Sequence, residues 1–268
     1  MRTLRLLGTS ALVSALSCGG SAVVLRSTQN RGFVELFSEN ATTANPVVES
    51  SSILPTFELA SSSVCPAAIF VDGCQLIDCP SPLPKSWTPA RAGTIVVTGA
   101  RQPISVPPKS PDYDYVQLPQ RLWDGGETLR LAVPGDTAPA FDLSIVAPAY
   151  VMVDAPAWPT GGAPLAIPRA KELDVTWSGG GAGFVGVDFQ VTLDQGFYNA
   201  YCTYPAGSGA GKVSARVLGA LPTGSAYTIE IYSVSLIETA ASGWFMDFSA
   251  IAAANAPTGL ASAAFVLQ

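Results

Sequence analysis

The 268-residue chain contains no histidine. That removes Ser-His-Asp and Cys-His catalysis, histidine metal sites and the one side chain that ordinarily titrates near neutrality. Charge is scarce too: Asp, Glu, Lys and Arg make up 13% of the residues, and the net charge is −6. With an acidic balance and no basic cluster, a nucleic-acid partner is excluded. Long apolar runs are missing, since the longest near the start, Leu6–Leu16, is about half of the roughly 20 residues a spanning helix needs. Helical periodicity is rare as well. What is plentiful is glycine and proline, 25 and 22 residues, set between short alternating segments. That combination predicts an all-β protein with many turns.

The first residues have the layout of an export signal. Arg2 and Arg5 precede the apolar run, and small residues lead to Cys18 and Gly19-Gly20. The run is too short to be a membrane helix and fits a signal peptide over residues 1–17. Ala15-Leu16-Ser17-Cys18 resembles a bacterial lipobox, with Ala where Leu is usual three residues before the cysteine. The resemblance implies that the Cys18 sulfur takes a diacylglycerol and becomes the N-terminus. Lipid is then the expected membrane anchor, at the outer membrane or cell surface, and the alternative is a periplasmic or secreted protein. Loss of Arg2 and Arg5 with the signal leaves 12 basic against 20 acidic residues.

Four segments follow the signal. Residues 18–64 contain an apolar patch at 22–25, a strand at Gly32–Phe37 and a Ser/Thr/Asn-rich stretch around 38–52, read as loop or tether. Asn40-Ala41-Thr42 matches a glycosylation sequon, a pattern too short to carry weight. Residues 65–150 read as a β-rich domain with strands at Thr94–Thr98, Tyr113–Leu118, Thr128–Val133 and Ala140–Val146. Proline-dense sequence from 148 to 164 reads as a join to a second β unit at 155–254, and 255–268 as a C-terminal segment. In that second unit Leu173, Val175 and Trp177 alternate with polar residues. Val185, Val187, Phe189, Val191 and Leu193 share one face, and Tyr227, Ile229 and Ile231 another.

With Cys18 lipidated, Cys65, Cys74, Cys79 and Cys202 remain, an even number in an exported chain. Asp72-Gly73 is a strong two-residue hairpin signal. A turn there sets Ile69–Val71 against Cys74–Leu76 and brings Cys65 near Cys79. Cys74 and Cys79 are five residues apart on one strand and point to opposite faces. The pairing expected is therefore Cys65–Cys79, with Cys74–Cys202 joining the two halves. Four thiolates on zinc is the poorer reading, because the spacings are wrong for a ribbon. No metal or cofactor is expected.

Leu221-Pro-Thr-Gly-Ser-Ala-Tyr227 places a leucine six residues before a tyrosine across a Pro/Gly turn, about fifty residues after Trp177. This resembles the tyrosine corner and core tryptophan of immunoglobulin-like and fibronectin type III domains. The resemblance implies a β-sandwich over the second unit, with Trp177, Leu221 and Tyr227 structural. Gly93–Gly99, Ala138–Phe141, Asp174–Trp177, Cys202–Pro205 and Val217-Leu218, in that order, resemble β-rich bacterial lipoproteins of myxobacterial type. That likeness brings no activity with it.

Two glycine patterns imitate phosphate loops. Gly181-Ala-Gly-Phe-Val-Gly186 runs into an alternating strand where a dinucleotide site needs a helix. Gly207–Lys212 has Ala206 at the first glycine position and Val213 where Ser/Thr belongs. Carboxylates are the remaining enzymatic option. Asp112 and Asp114 flank Tyr113, and Asp124 and Glu127 bracket a Gly-Gly turn beside Trp123. These five residues, Asp112, Asp114, Trp123, Asp124 and Glu127, are the candidate binding set. Trp87, Trp158, Trp244 and Tyr115 are the further aromatics that an exposed platform would use. The expected function is non-enzymatic binding of a protein or glycan partner, or a structural role, in the envelope. The alternative is a carboxylate-dependent glycan-active enzyme or carbohydrate-binding module, which requires an exposed aromatic row beside a carboxylate pair.

Overall fold

The computed structural model describes residues 30–41, 48–59, 69–80, 88–110, 112–160, 162–193, 196–224 and 226–268. Cys18, Cys65, Trp87 and the 22–25 patch lie outside them. The first half forms β1 (Asn30–Ala41), β2 (Val48–Leu59), β3 (Ile69–Val71), β4 (Cys74–Pro80), β5 (Thr88–Pro89), β6 (Ile95–Thr98), β7 (Ile104–Val106), β8 (Val116–Leu118), β9 (Thr128–Val133) and β10 (Phe141–Val146). The second half begins with β11 (Met152–Ala155), β12 (Leu165–Ile167), β13 (Leu173–Ser178), β14 (Phe184–Leu193), β15 (Gly196–Pro205) and β16 (Ala210–Val213). After the short helix α1 (Ala215–Ala220) come β17 (Ala226–Ala241), β18 (Trp244–Ala253), β19 (Asn255–Ala256), β20 (Gly259–Leu260) and β21 (Ser262–Leu267).

These strands make one large sheet covered by two small ones. The large sheet has 12 strands with the path β3-β4-β15-β14-β17-β18-β1-β2-β5. A five-stranded sheet, β16-β13-β11-β19-β20, closes one part of it, and a four-stranded sheet, β10-β9-β6-β7, closes another. Two cores result. In one, Val153, Val175 and Trp177 meet Val187, Phe189, Val191 and Ile229. In the other, Ile95, Val97, Leu129 and Leu131 meet Val34, Leu36, Ile53, Phe57 and Phe248.

The first core is a sandwich of fibronectin type III order. Taking β11, β13, β14, β15, β16, β17 and β21 as A, B, C, C′, E, F and G, A-B-E faces C′-C-F-G. Trp177 is buried in β13, and its indole N–H donates to the Ala206 carbonyl at 2.8 Å. Leu221 is fully buried, and the Tyr227 hydroxyl accepts from Gly224 N at 2.9 Å and donates to the Pro222 carbonyl. Helix α1 is one short turn started by Ser214, whose hydroxyl accepts from Val217 N, and it buries Val217 and Leu218.

The boundary between the two units differs from the sequence expectation. The cores divide near residues 147–151, as the proline-dense join suggests, but the strands do not. The β17–β18 hairpin is longer than the sandwich needs: β14 pairs with β17 only as far as Val234, whereas β18 pairs along it to Ala241. The extension carries Trp244, Met246, Phe248, Ala250 and Ala252 into the second core. There β1 adds to β18 in parallel, from Asn30↔Trp244 to Ser38↔Ala252. The 65–150 segment therefore completes its core with C-terminal residues, and a clean cut at residue 150 is corrected. The stretch read as loop or tether is largely strand, since β1 runs to Ala41 and β2 starts at Val48. Its Ser38 and Ser51 are buried and bonded to each other. The sequon's Asn40 is also buried. Residues 255–268 are no appended segment, because β21 pairs with β17 and with β12.

Asp72-Gly73 turns the β3–β4 hairpin, both residues with positive φ (48° and 81°), which fits a type I′ turn. Ile69 faces Leu76, Phe70 faces Gln75 and Val71 faces Cys74. Cys74 is bonded to Cys202, its direct cross-strand partner, with Cα atoms 4.1 Å apart. This is the Cys74–Cys202 bond expected from the sequence, and it joins the two halves of the chain through neighbouring strands of one sheet.

Candidate functional site

The candidate binding set does not assemble into a site. Trp123 is fully buried, stacks on Tyr150 and donates to the Pro148 carbonyl, so it is a core residue. Glu127 accepts from the backbone N–H groups of Asp124 and Gly125 and closes its own turn. Asp124 pairs with Arg101 and Arg121, and the Arg101 hydrogen bond holds its carboxyl below the usual range. Asp114 is exposed and pairs with Lys109. Asp112 lies in a bridge with Lys109, and its Oδ1 is buried without a hydrogen-bond partner. Between these two acids Tyr113 is buried, its hydroxyl tied to Ala92 N and the Gly93 carbonyl. Of the further platform aromatics among the described residues, Trp158 and Trp244 are buried and Tyr115 is exposed, which corrects the platform in the same way.

The unexpected chemistry lies on the second face of the large sheet, opposite the two cores. Alternation along each strand sends Val34 and Leu36 into the core and Glu35 to this face. Register then collects its neighbours. Across four strands Gln75, Tyr201, Asp188 and Glu230 form one row. Asp188 is 1% exposed, and its carboxyl accepts from Gln190 Nε2 at 2.9 Å and Asn199 Nδ2 at 3.2 Å. Burial pushes its pKa up to about 7, with Glu230 adding to the rise and the Gln190 bond opposing it. Beside it Tyr201 and Tyr232 stack with ring centroids 6.0 Å apart. Gly186 makes room for them, since a Cβ there would come within 2.8 Å of Tyr201 and 2.9 Å of Tyr232.

Further along the same face Glu238 stands directly across from Asp247. Glu35, on β1, lies on the same face two residues beyond Phe33, the partner of Asp247. Burial raises the Glu35 carboxyl to about 7. Burial raises Asp247 well above the ordinary range, and the charges of Glu238 and Glu35 add to it. At the rim, Glu58 is raised to about 6 by burial although Arg31 opposes the rise. Such carboxyls hold protons near neutrality and can donate hydrogen bonds there. They do not make a metal centre: among the described residues no three Asp, Glu or Cys side chains gather as one.

Sequence reading missed these residues because a polar residue on alternate positions reads as solvent-facing. The signal that could have found them is local. Glu35 has Phe33 and Phe37 at its same-face positions, so its own face is apolar as well as the core face.

The fold thus defines an all-β sandwich protein, with a fibronectin type III-like unit sharing its sheet with a second core. No protein-family model and no curated protein matches the chain. Among solved structures it is similar to a Ca2+-stabilized adhesin that helps an Antarctic bacterium reach out and bind ice, at 12% identity with a TM-score of 0.21. That alignment covers 85% of this chain and 49% of the adhesin chain, so this chain spans about half the adhesin's length. A likeness of that score carries no argument. No helix among the described residues is long and apolar enough to cross a membrane, which says nothing of strands.

Proposed function

We propose that the chain is an exported, lipid-anchored envelope protein, modified at Cys18, with a non-enzymatic binding or structural role. The observation that supports this reading is the use made of the residues an enzyme would need. Trp123, Trp158, Trp177 and Trp244 are buried in the fold. Asp114 and Asp124 are spent in surface ion pairs, and Glu127 in its own turn. Such a chain has invested its aromatics in stability, and it adds a cross-strand disulfide, which suits an oxidising compartment. The lipobox-like ending at Cys18 supplies the anchor, in keeping with the resemblance to β-rich bacterial lipoproteins of myxobacterial type. Partners are then the membrane, through the lipid, and a protein or glycan met at the surface.

Metabolic labelling with a palmitate analogue, followed by membrane fractionation, tests the anchor. The wild type is expected to take label and sediment with membranes, and Cys18→Ser to do neither. Equal labelling and sedimentation of both would contradict the proposal.

A further inference from the structure

Glu238 and Asp247 face each other on the antiparallel strands β17 and β18. Asp247 is 6% exposed, and Asp247 Oδ1 and Glu238 Oε1 are both buried without a hydrogen-bond partner. On the other side of β18, Phe33 pairs with Asp247 and Glu35 with Ser249, which puts a third carboxyl on the same face one step along. Two ionised carboxylates directly opposite repel, and burial makes each charge costlier. Such a group is stable when it holds protons. We propose that Glu35, Glu238 and Asp247 form a proton-held clasp between β1 and the β17–β18 hairpin, closed while the carboxyls are protonated and loosened as they ionise.

Among the described residues the surroundings offer no competing neutralisation. β1 also presents Arg31 and Glu39 to this face, and β2 presents Glu58. Arg31, the one cation among the described strands of the face, stands directly opposite Glu58. Glu39 accepts from the Ser50 hydroxyl. β17 adds Glu230 and Tyr232, β14 adds Asp188, and β15 adds Tyr201, so every other titratable neighbour is acidic. The two small sheets cover the opposite face. Among the described residues the acidic side chains do not converge on a metal position.

The location gives the clasp its consequence. In the large sheet the β1–β2 ribbon is joined to the C-terminal strands through the parallel β1–β18 ladder. Ionising the clasp weakens that join.

The sign follows from linkage. A carboxyl whose folded pKa is raised binds its proton more tightly folded than unfolded. Its stabilisation is present below the unfolded value, near 4.3, and is lost as pH rises to the folded value. For Glu35 that value is about 7. Each such group multiplies the unfolding constant by up to about tenfold per pH unit within that window.

Urea unfolding of the full chain between about pH 5 and pH 8 tests this, with Asp247→Asn and the double variant Glu238→Gln/Asp247→Asn alongside. The wild-type midpoint is expected to fall as pH rises, and the double variant to lose part of that slope and exceed the wild type at about pH 8. Asp188→Asn controls for the separate buried carboxyl on the same face. At one fixed alkaline pH, β1 amides are expected to exchange faster in the wild type than in the double variant. A wild-type midpoint that is flat or rises with pH, a double variant with the wild-type slope, or equal β1 exchange would overturn the clasp.

Discussion

Trp177 and Tyr227 each reach from one part of the sandwich to backbone atoms in a neighbouring loop. The Trp177 indole fills the core and ties down the Ala206 carbonyl, at the turn between β15 and β16. The Tyr227 hydroxyl holds the backbone of the turn that enters β17. Trp177→Ala removes both packing and the hydrogen bond, and should cost about 3–5 kcal/mol. Tyr227→Phe keeps the ring and removes only the half-buried hydroxyl, so about 1 kcal/mol is expected. Urea midpoints measure both, and equal losses would mean that Tyr227 does more than anchor its turn. These roles were legible from the spacing of Leu221, Tyr227 and Trp177. The roles of Trp123 and Tyr113 were not, because a tryptophan or tyrosine between acids reads the same whether it faces water or the core. Only the partners they meet decide it, Tyr150 for Trp123 and Phe57 for Tyr113.

At the level of elements, the β3–β4 hairpin was the most readable part of the chain. Asp-Gly dictates a two-residue turn, the turn dictates register, and the observed partners follow it. The strand that Cys74 meets was less readable. β4 pairs with β15 over Cys74–Pro80, a contact across more than a hundred residues, and the Cys74–Cys202 bond sits at one end of that ladder. Its sequence separation of 128 means that it closes a long loop in the unfolded chain. Cys74→Ser with Cys202→Ser is expected to cost about 2–4 kcal/mol, with a change in the urea m-value as the denatured ensemble expands. An unchanged midpoint would show that the β4–β15 ladder stands without the bond. Strand limits in β9, β10, β13 and β14 matched the alternation to within a residue. Those of β1 and β2 did not, since Ser38 and Ser51 are buried and bonded to each other across the strands, a pairing that no local pattern announces.

At the scale of the whole molecule, the two cores are one structure because they share a hairpin. Sequence placed a boundary at the prolines, where the cores do part. It could not show that β18, more than ninety residues on, returns to complete the second core, because strand pairing at that range leaves no periodic trace. The carboxyls of the second face follow from the same pairing. Glu238 and Asp247 face each other across one hairpin, but Glu35 is some two hundred residues away and joins them only because β1 lies against β18. A fragment spanning residues 19–150 tests the shared hairpin most directly. It keeps β1, β2 and the four-stranded sheet but lacks Trp244, Met246 and Phe248, which the core requires. The account predicts that it shows no cooperative urea transition and no dispersed amide spectrum, and that adding a chain of residues 149–268 restores both. A 19–150 fragment that folds cooperatively alone would contradict it.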